Sequence, residues 1–324
     1  MLKLRHLYEN FELAKCALEN WEYDAESIDE YFKYFRISSN AVYPFALGGE
    51  RRFLRLSPVE EKIEANLRGE LEFLAYLRGR DYPCAAPIPA KNGETLLKLD
   101  TRWGGYYACV FADVGGVSVE DTDLGDDIMF AYGRALGRLH CLSADFEPAC
   151  RKWESDVALA WAEGVLREYA APEKMLAEAG SVGAELVRLP RNRENYGLVH
   201  YDFEPDNVFW HEECGACASI DYEDGMYHFF LLDVEQALDA IGDCLSGDAL
   251  ARGKERFLSG YRTEKALDPD FQDKLKLMRR FCNIFSYARL IRCVAEKQPD
   301  EPDWMIGLRE KLNRRIASLE HGIQ

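Results

Sequence analysis

The sequence predicts an α+β fold in which a small N-terminal lobe with antiparallel strands precedes a larger, mostly helical C-terminal lobe. The predicted order is helix, strands, helix, strands and then mainly helices, and the change falls at Val114-Gly115-Gly116. The length of 324 residues is typical of about two folded units. We therefore expect one lobe over residues 1–114 and the other over residues 115–324.

The N-terminal lobe is predicted to contain two helices and five strands. Apolar residues at helical spacing predict the first helix over residues 9–22. An amphipathic pattern with Ile63, Leu67, Leu71 and Leu74 on one face predicts a second helix, after Pro58, that ends at Gly79. Aromatic and β-branched residues predict the strands, over 31–39, 41–47, 51–57, 95–99 and 106–112. Gly48-Gly49 predicts a hairpin between two of them.

The C-terminal lobe has helical patterns at 128–143 and 153–169 and in most of the chain beyond 230. Residues 198–225 are the exception, because short apolar runs there alternate with turn-forming and acidic residues. This pattern predicts a loop, a hairpin and another loop. Several carboxylates at the edge of buried strands need a cation to satisfy them, so this segment is the main candidate for a functional site.

Composition excludes several classes of function. The 40 Lys and Arg residues against 57 Asp and Glu residues give a net charge of −17, which opposes binding to nucleic acid or anionic lipid. The start of the chain lacks an apolar signal core, and no apolar run approaches the length of a membrane span. Ten cysteines without regular spacing favour reduced thiols and a cytoplasmic protein.

A motif for phosphoryl transfer lies in the 198–225 segment. His200, Asp202 and Asn207 form the pattern H-x-D-x-x-x-x-N, and Asp221 follows at the end of a short apolar run. This arrangement matches the catalytic set of kinase-like phosphotransferases. Transfer from ATP requires one carboxylate at the acceptor hydroxyl and two oxygen ligands for magnesium. Asp202, Asn207 and Asp221 offer these three groups.

These motifs make the sequence resemble the aminoglycoside phosphotransferase and choline kinase family, whose members share the protein-kinase architecture. The resemblance covers nearly the whole chain. It is carried by HYDFEPDN and IDYED, with weaker support from SSNAVYPF, FLRLSP, ELEFLAYL, ALGRLHCLS and LLDVEQAL. It implies a protein-kinase-like fold with ATP between the lobes, magnesium as cofactor and a small-molecule hydroxyl as acceptor. Amine-bearing acceptors of the aminoglycoside, choline, ethanolamine or homoserine kind suit the negative charge.

The resemblance also implies roles for the motif residues. Asp202 would orient the acceptor hydroxyl and take its proton, while Asn207 and Asp221 would hold magnesium. His200 and Asp233 would brace the backbone of the site. The residues that directly follow Asp221 are candidates to line a pocket for a cationic acceptor: the carboxylates of Glu223 and Asp224, and Tyr222 beside them.

Three segments would bind the nucleotide. Arg55 stands where such kinases commonly have a lysine, and its expected partner is Glu70, with Glu64 and Glu72 as competitors. The phosphate loop contains no glycine, so serine hydroxyls and backbone amides would reach the phosphates; its residues are Ser38, Ser39 and Asn40. The adenine would lie against backbone groups of Phe111, Ala112 and Asp113.

Other polar residues have both a structural and a functional interpretation. Cys214 and Cys217 are expected at a hairpin tip, because no second ligand pair for zinc accompanies them. His140 and His228 are expected to be buried packing residues. Four C-terminal arginines are either ion-pair partners or, for one or two of them, contacts to an acceptor carboxylate; they are Arg279, Arg280, Arg289 and Arg292.

Two rival functions share the same motifs. One is a kinase that acts on protein Ser or Thr. The other is a catalytically silent nucleotide-binding scaffold, suggested by Arg55 and the glycine-free loop. Retention of Asp202, Asn207 and Asp221 argues against the scaffold.

Overall fold

The computed structural model describes residues 2–7, 9–297 and 299–323, with the backbone alone for Arg5. Within these residues the helices are α1 Phe11–Leu18, α2 Ala25–Tyr31, α3 Glu64–Arg78, α4 Asp126–Ala144, α5 Ser155–Glu168, α6 Glu173–Arg188, α7 Leu231–Cys244, α8 Gly247–Glu264, α9 Phe271–Val294 and α10 Asp303–Gly322. The strands are β1 Arg36–Ile37, β2 Ala41–Leu47, β3 Glu50–Pro58, β4 Pro87–Ile88, β5 Leu97–Thr101, β6 Gly104–Ala112, β7 Val117–Ser118, β8 Tyr196–Val199, β9 Val208–His211, β10 Ala216–Ser219 and β11 Met226–Phe229.

The N-terminal lobe is built on one antiparallel sheet in the order β1-β2-β3-β6-β4, with β5 also paired to β6. The β2–β3 hairpin turns at Gly48 and Gly49, whose φ angles of 61° and 82° lie in the left-handed region that glycine adopts freely. Helix α3 ends at Gly79 and buries Leu67, Leu71 and Leu74. The placement of Ile63 on the same buried face is wrong, because Ile63 precedes the first helical turn and is 52% exposed. The predicted α+β fold, the hairpin and this helix are thus confirmed.

The predicted strand over residues 31–39 is wrong. Its first part is the end of α2 and a short 3-10 turn at Phe32–Tyr34, and only Arg36–Ile37 is a strand. The ring of Phe32 packs 5.4 Å from that of Tyr43 and 6.1 Å from that of Phe11. Phe32 and Phe35 therefore pack into the core between α1 and the sheet, whereas Tyr34 is 64% exposed. The aromatic residues of this segment thus do not mark a paired strand.

The C-terminal lobe packs helices around two small sheets. Strands β8 and β11 form one antiparallel pair, and β9 pairs with both β10 and β7 in the other. The segment 198–225 is a loop, a hairpin and a loop, as predicted. Helices α4 and α8 pack at very close range, because a Cβ at Gly133 would lie 1.8 Å from the carbonyl oxygen of Phe257 and one at Gly260 would lie 1.9 Å from that of Phe130.

The lobes meet along α3 and the segment after β6. Gly115 and Gly116 have φ angles of 68° and 76°, and β7 just beyond them already pairs with β9 of the C-terminal lobe. A shared core lies under α3, where the ring of Phe73 packs against Phe146 and Tyr222. The boundary between residues 114 and 115 stays a prediction. Residues 1 and 324, the outer ends of the two predicted ranges, lie outside the described residues.

No helix in the described part of the chain is long and apolar enough to cross a membrane. The ten cysteines are free thiols, five of them buried. The cytoplasmic location stays a prediction.

Candidate active site

Two loops at the ends of short strands carry the predicted motif. His200 and Asp202 follow β8, Asn207 directly precedes β9, and Asp221 follows β10. Tyr201 and Asp221 have φ angles of 66° and 62°, which non-glycine residues rarely adopt. Such backbone strain costs about 1–3 kcal/mol per residue and persists only where surrounding contacts enforce it. Both loops are therefore held in place by contacts from the rest of the lobe.

Asp202 is held by Asn207. The Nδ2 group of Asn207 donates to the Oδ2 atom of Asp202 at 2.9 Å and to its backbone carbonyl at 3.0 Å. Because both amide hydrogens serve Asp202, the Oδ1 atom of Asn207 is left as an acceptor. The structure thus brings a carboxylate and an amide oxygen together, as the motif predicts.

His200 is buried and links the two loops. Its Nε2 atom lies 2.9 Å from the carbonyl oxygen of Ile220, and its Nδ1 atom accepts the backbone N–H of Asp202 at 3.2 Å. A carbonyl can only accept, so the proton is on Nε2 and the ring is neutral. Burial lowers the pKa of His200 to about 4, which keeps it neutral at physiological pH. The ring therefore ties the residue before Asp221 to Asp202.

Asp233 holds the backbone of the loop that carries His200 and Asp202. This fully buried carboxylate accepts the backbone N–H groups of His200 at 2.7 Å and Tyr201 at 2.8 Å. The Nε2–H group of His140 also donates to it, at 3.0 Å. His140 is a buried partner of this brace, and His228 is likewise fully buried. The structure thus places Asp233 where a bracing residue is expected.

The carboxylates of the site destabilise one another's charged forms. Partial desolvation in the cleft and the neighbouring Glu223 raise the pKa of Asp221 to about 7, although Arg55 opposes the shift and the side chain is 43% exposed. Burial, Glu204 and Asp221 raise the pKa of Asp202 well above its ordinary value. A divalent cation between such carboxylates reverses both shifts. The donor set of carboxylate and amide oxygens is the one that magnesium prefers.

Arg55 on β3 and Glu70 on α3 form a buried, two-pronged ion pair. The Nη1 and Nη2 atoms of Arg55 donate to the two carboxylate oxygens of Glu70 at 2.8 and 2.6 Å. Nη1 also lies 4.0 Å from Oδ1 of Asp221. The competitor Glu64 instead contacts Arg68 and Tyr107, and Glu72 accepts two backbone amides. The pair therefore lies between α3 and the metal loop, residues 220–225.

The phosphate loop is fastened by its own polar groups. The Nδ2 group of Asn40 donates to Glu223, and its Oδ1 atom accepts the hydroxyl of Ser57 at 2.6 Å. Asn40 is buried, so its side chain holds the loop and is not available to a phosphate. Residues 38 and 39 lie at the same turn, where the carbonyl of Ser39 accepts Lys62 Nζ at 2.7 Å.

Two backbone donors of the predicted adenine segment are used within the N-terminal lobe. The N–H of Ala112 donates to the carbonyl of Ala86 at 2.9 Å, and the N–H of Asp113 donates to that of Arg51 at 3.2 Å. The ring of Phe111 lies under the guanidinium of Arg55, at 4.9 Å. Hydrogen bonds within the lobe therefore use the N–H groups of Ala112 and Asp113, and the contact of residues 111–113 with adenine stays a prediction.

The predicted acceptor residues do not form an open pocket. Tyr222 is buried, and its hydroxyl bonds to that of Ser219 at 2.5 Å, so it faces the core. Glu223 pairs with Lys62, and Asp224 pairs with Arg289 at 2.5 Å. Cations of the chain itself satisfy both carboxylates. The prediction that these residues line a cationic acceptor is therefore corrected.

The C-terminal arginines pair with carboxylates of the chain. The pairs are Arg279 with Glu235 and Asp239, Arg280 with Glu178 and Glu185, Arg289 with Asp224, and Arg292 with Glu61. The ion-pair interpretation is therefore the one that the structure supports. Arg289 reaches the site most closely, since its Nη2 atom also lies 3.4 Å from the hydroxyl of Ser39.

Sequence reasoning missed two lysines at the site. Lys62 lies ahead of α3 and Lys152 lies ahead of α5, in charged segments with no motif. No local signal identifies them, because their partners are 161 and about 70 residues away in the chain.

At the β9–β10 hairpin, Cys214 is exposed in the turn while Cys217 is buried on β10.

The profile of the phosphotransferase enzyme family matches residues 36–267, well over half of the chain. The chain belongs to that family. The matched range contains the two loops, the Arg55–Glu70 pair and Asp233. This phosphotransferase also shares its fold with a solved amicoumacin kinase in complex with AMP-PNP, Ca²⁺ and Ami. The two structures superpose with a TM-score of 0.77 at 19% identity, over 97% of this chain and 95% of the other.

Curated relatives of this phosphotransferase are small-molecule kinases. Amicoumacin kinase of Bacillus subtilis (strain 168) is 26% identical over 251 residues, which is 73% of each protein. Homoserine kinase of Caulobacter vibrioides (strain NA1000 / CB15N) is 27% identical over 242 residues, covering 73% of this chain and 74% of the relative. The protein is thus a phosphotransferase of a small-molecule kinase family, with a hydroxyl group as acceptor.

Proposed function

We propose that this kinase transfers the γ-phosphoryl group of ATP, in the presence of Mg²⁺, to a hydroxyl of a small amine-bearing molecule. The observation that carries the proposal is the convergence of Asp202, Asn207 and Asp221 beside the Arg55–Glu70 pair. Phosphoryl transfer depends mainly on positioning and charge neutralisation, so a rigid set of oxygen ligands and one cation suits it.

Arg55 supports the nucleotide part of the proposal. Its Nη atoms bond to Glu70, but its Nε–H group is buried and has no acceptor in the described part of the chain. A buried N–H without an acceptor costs about 1–3 kcal/mol. A phosphate oxygen satisfies such a group, and arginine binds phosphate strongly. Arg55 would thus take the place of the lysine that is common in related kinases.

The loop residues have distinct roles in the proposed reaction. Asn207 keeps one oxygen of Asp202 in place, and Asp202 would orient the acceptor hydroxyl and take its proton. Asn207 Oδ1 and the carboxylate of Asp221 would hold Mg²⁺, which supplies charge neutralisation for the phosphates when bound. His200 and Asp233 keep the two loops at a fixed separation.

Negative charge near Asp202 supports an amine-bearing acceptor. Burial and the carboxylates of Asp206, Asp239 and Asp243 raise the pKa of Glu204 to about 6, and Arg279 offsets them only in part. A cationic amine reduces the repulsion within this group and is attracted by its field. The relatives named for homoserine, an amino acid that carries both an amine and a hydroxyl group, agree with an amine-bearing acceptor.

The experiment is ADP release by the purified chain with ATP and Mg²⁺ over pairs of acceptors that differ only in the amine. Homoserine, ethanolamine and an aminoglycoside are each compared with the analogue that lacks the amine, and products are checked by mass for one added phosphoryl group. We expect release that depends on Mg²⁺ and on an amine-bearing acceptor. Equal rates with the amine-free analogues would contradict the acceptor class, and metal-independent release would contradict the mechanism.

A further inference from the structure

Lys152 is a buried cation that the proposed reaction does not use. It lies in residues 149–153, between α4 and α5, and is 3% exposed. Its Nζ atom donates to the backbone carbonyls of Tyr222 at 3.1 Å and Glu223 at 2.6 Å. These are the two residues that directly follow Asp221, so the ammonium bonds to the turn that carries the metal aspartate.

The segment around Lys152 is fastened to α3. The carboxylate of Glu72 accepts the N–H groups of Ala149 at 2.6 Å and Cys150 at 2.9 Å. Asn66 Oδ1 accepts the N–H of Trp153 at 3.0 Å. Three side-chain contacts from one helix thus fix the backbone on both sides of Lys152. The same helix carries Glu70, the partner of Arg55.

Gly69 makes room for this lysine. A Cβ added at Gly69 would lie 2.8 Å from Cγ of Lys152 and 2.6 Å from the carbonyl oxygen of Cys150. Atoms do not approach so closely without a shift of the backbone. The glycine directly before Glu70 is therefore required for residues 150–152 to pack against α3.

We propose that Lys152 is a positioning residue that holds the Tyr222–Glu223 turn so that Asp221 points at the metal, and that it couples this turn to α3. Asp221 needs such support because its φ angle of 62° is strained. Two carbonyls held by one buried ammonium fix the direction of the turn, as outer contacts fix a metal ligand. The inference rests on the proposed function, because it concerns the metal site of that reaction.

The direction in which removal of Lys152 changes metal binding distinguishes three roles for this residue. A cation near a metal site repels the metal, so a purely electrostatic role predicts that removal of the charge strengthens metal binding. A merely structural role predicts a lower melting temperature and unchanged metal dependence. A positioning role predicts weaker metal binding, and loss of such an outer contact typically costs 10- to 100-fold.

The test is the Mg²⁺ concentration that gives half-maximal turnover at saturating ATP and acceptor, repeated with Mn²⁺. Lys152→Met keeps the length of the side chain and removes its donors. We expect the half-maximal concentration to rise about 10-fold or more for both metals, while the KM for the acceptor changes less than twofold. Arg151→Met is the matched control, since Arg151 is the adjacent, half-exposed cation, and it should behave as wild type.

A substitution on α3 tests the same packing of Lys152. Gly69→Ala should raise the metal requirement in the same direction, because the added methyl displaces Lys152. Gly180→Ala on α6 is its control, since a Cβ there meets nothing within 4 Å. Magnesium-dependent binding of ADP, measured by calorimetry, is read beside turnover so that binding is assessed without chemistry.

Wild type and Asp221→Asn in the same titration separate the two proposals. Suppose that wild type depends on the metal and that Asp221→Asn loses this dependence. If Lys152→Met then binds the metal as wild type does or more tightly, the role of Lys152 is overturned and the proposed function stands. If wild type itself shows no metal-dependent binding or turnover, the proposed function fails and the inference fails with it.

Discussion

Asp233 accepts the backbone N–H of His200 at 2.7 Å, although the two residues are 33 positions apart and both are fully buried. The other carboxylate oxygen accepts the N–H of Tyr201 at 2.8 Å. Since Tyr201 has a strained φ of 66°, these two bonds hold the backbone conformation that aims Asp202. A carboxylate at the start of α7 thus determines the geometry of a loop that follows β8.

Asp233→Asn should reduce turnover at least tenfold and lower the melting temperature. An amide has one acceptor oxygen, so its NH₂ group would face a backbone N–H and leave that donor unsatisfied, at about 1–3 kcal/mol. Steady-state kinetics and thermal unfolding measure both effects. Asp239→Asn on the same helix is the control for kcat and melting temperature, because Asp239 is half exposed and bonds to Arg279 at the surface, so that its charge would affect only the KM for the acceptor. Equal behaviour of the two variants would show that Asp233 does not brace the loop.

Arg55→Met should destabilise the protein and weaken nucleotide binding. Removal of one partner from a buried ion pair leaves Glu70 uncompensated, which costs about 3–5 kcal/mol in the free energy of unfolding. Arg55→Lys restores the charge with one ammonium, so we expect intermediate stability and a KM for ATP between those of wild type and Arg55→Met. Urea unfolding and ATP titration test this order. A KM for ATP that is the same in all three proteins would exclude Arg55 from the nucleotide site.

Lys62 and Glu223 should be energetically coupled across the cleft. Lys62 belongs to the N-terminal lobe and Glu223 to the metal loop, and their side chains are 10% and 8% exposed. In a double-mutant cycle of Lys62→Met and Glu223→Gln we expect a coupling of about 1–3 kcal/mol in the free energy of unfolding. The exposed pair of Lys276 and Asp273 is the control, and we expect no measurable coupling there because water and salt screen the two charges. Similar coupling in both cycles would argue against a buried link between the lobes.

Glu61 should make stability depend on acidic pH. Burial raises its pKa, but hydrogen bonds from His6 and Arg292 outweigh this and lower it from 4.5 to about 2. A lowered pKa in the folded state stabilises the protein above the unfolded value, and this contribution is lost as pH falls from about 4.5 towards 2. Glu61→Gln should therefore cost about 1–3 kcal/mol at pH 7 and less at lower pH. Urea unfolding at pH 7 and 3.5 checks this, and an equal difference at both pH values would contradict it.

The parts of the site that the sequence predicts are local in the chain. Asp202 and Asn207 are five residues apart on one loop, and the hairpin β9–β10 brings Asp221 back to them. Spacing and turn-forming residues suffice to predict such an arrangement. The resemblance to the family predicts Glu70 as the partner of Arg55, because ELEFLAYL stands where the family's helix carries the ion-pair glutamate.

The parts of the site that the sequence does not predict depend on long-range packing, which leaves no periodic pattern in the sequence. Glu223 was assigned to the acceptor because it follows Asp221, whereas Lys62, 161 residues away, neutralises it. Tyr222 turns into the core for a similar reason, since α3 brings Phe73 against its ring. The aromatic run at 31–39 predicted a strand because aromatic residues are common both in strands and in cores.

The most direct test of the proposed reaction is the turnover of Asp202→Asn with an acceptor that wild type phosphorylates, measured beside the thermal shift by ATP and Mg²⁺. Asp206→Asn is the control, because Asp206 is an exposed aspartate four residues further along the same loop. We predict that turnover of Asp202→Asn at saturating acceptor falls about 10²- to 10⁴-fold and that its nucleotide shift persists. Asp206→Asn should keep the kcat of wild type, because its charge would affect only the KM for the acceptor. Turnover of Asp202→Asn equal to that of wild type would contradict the account.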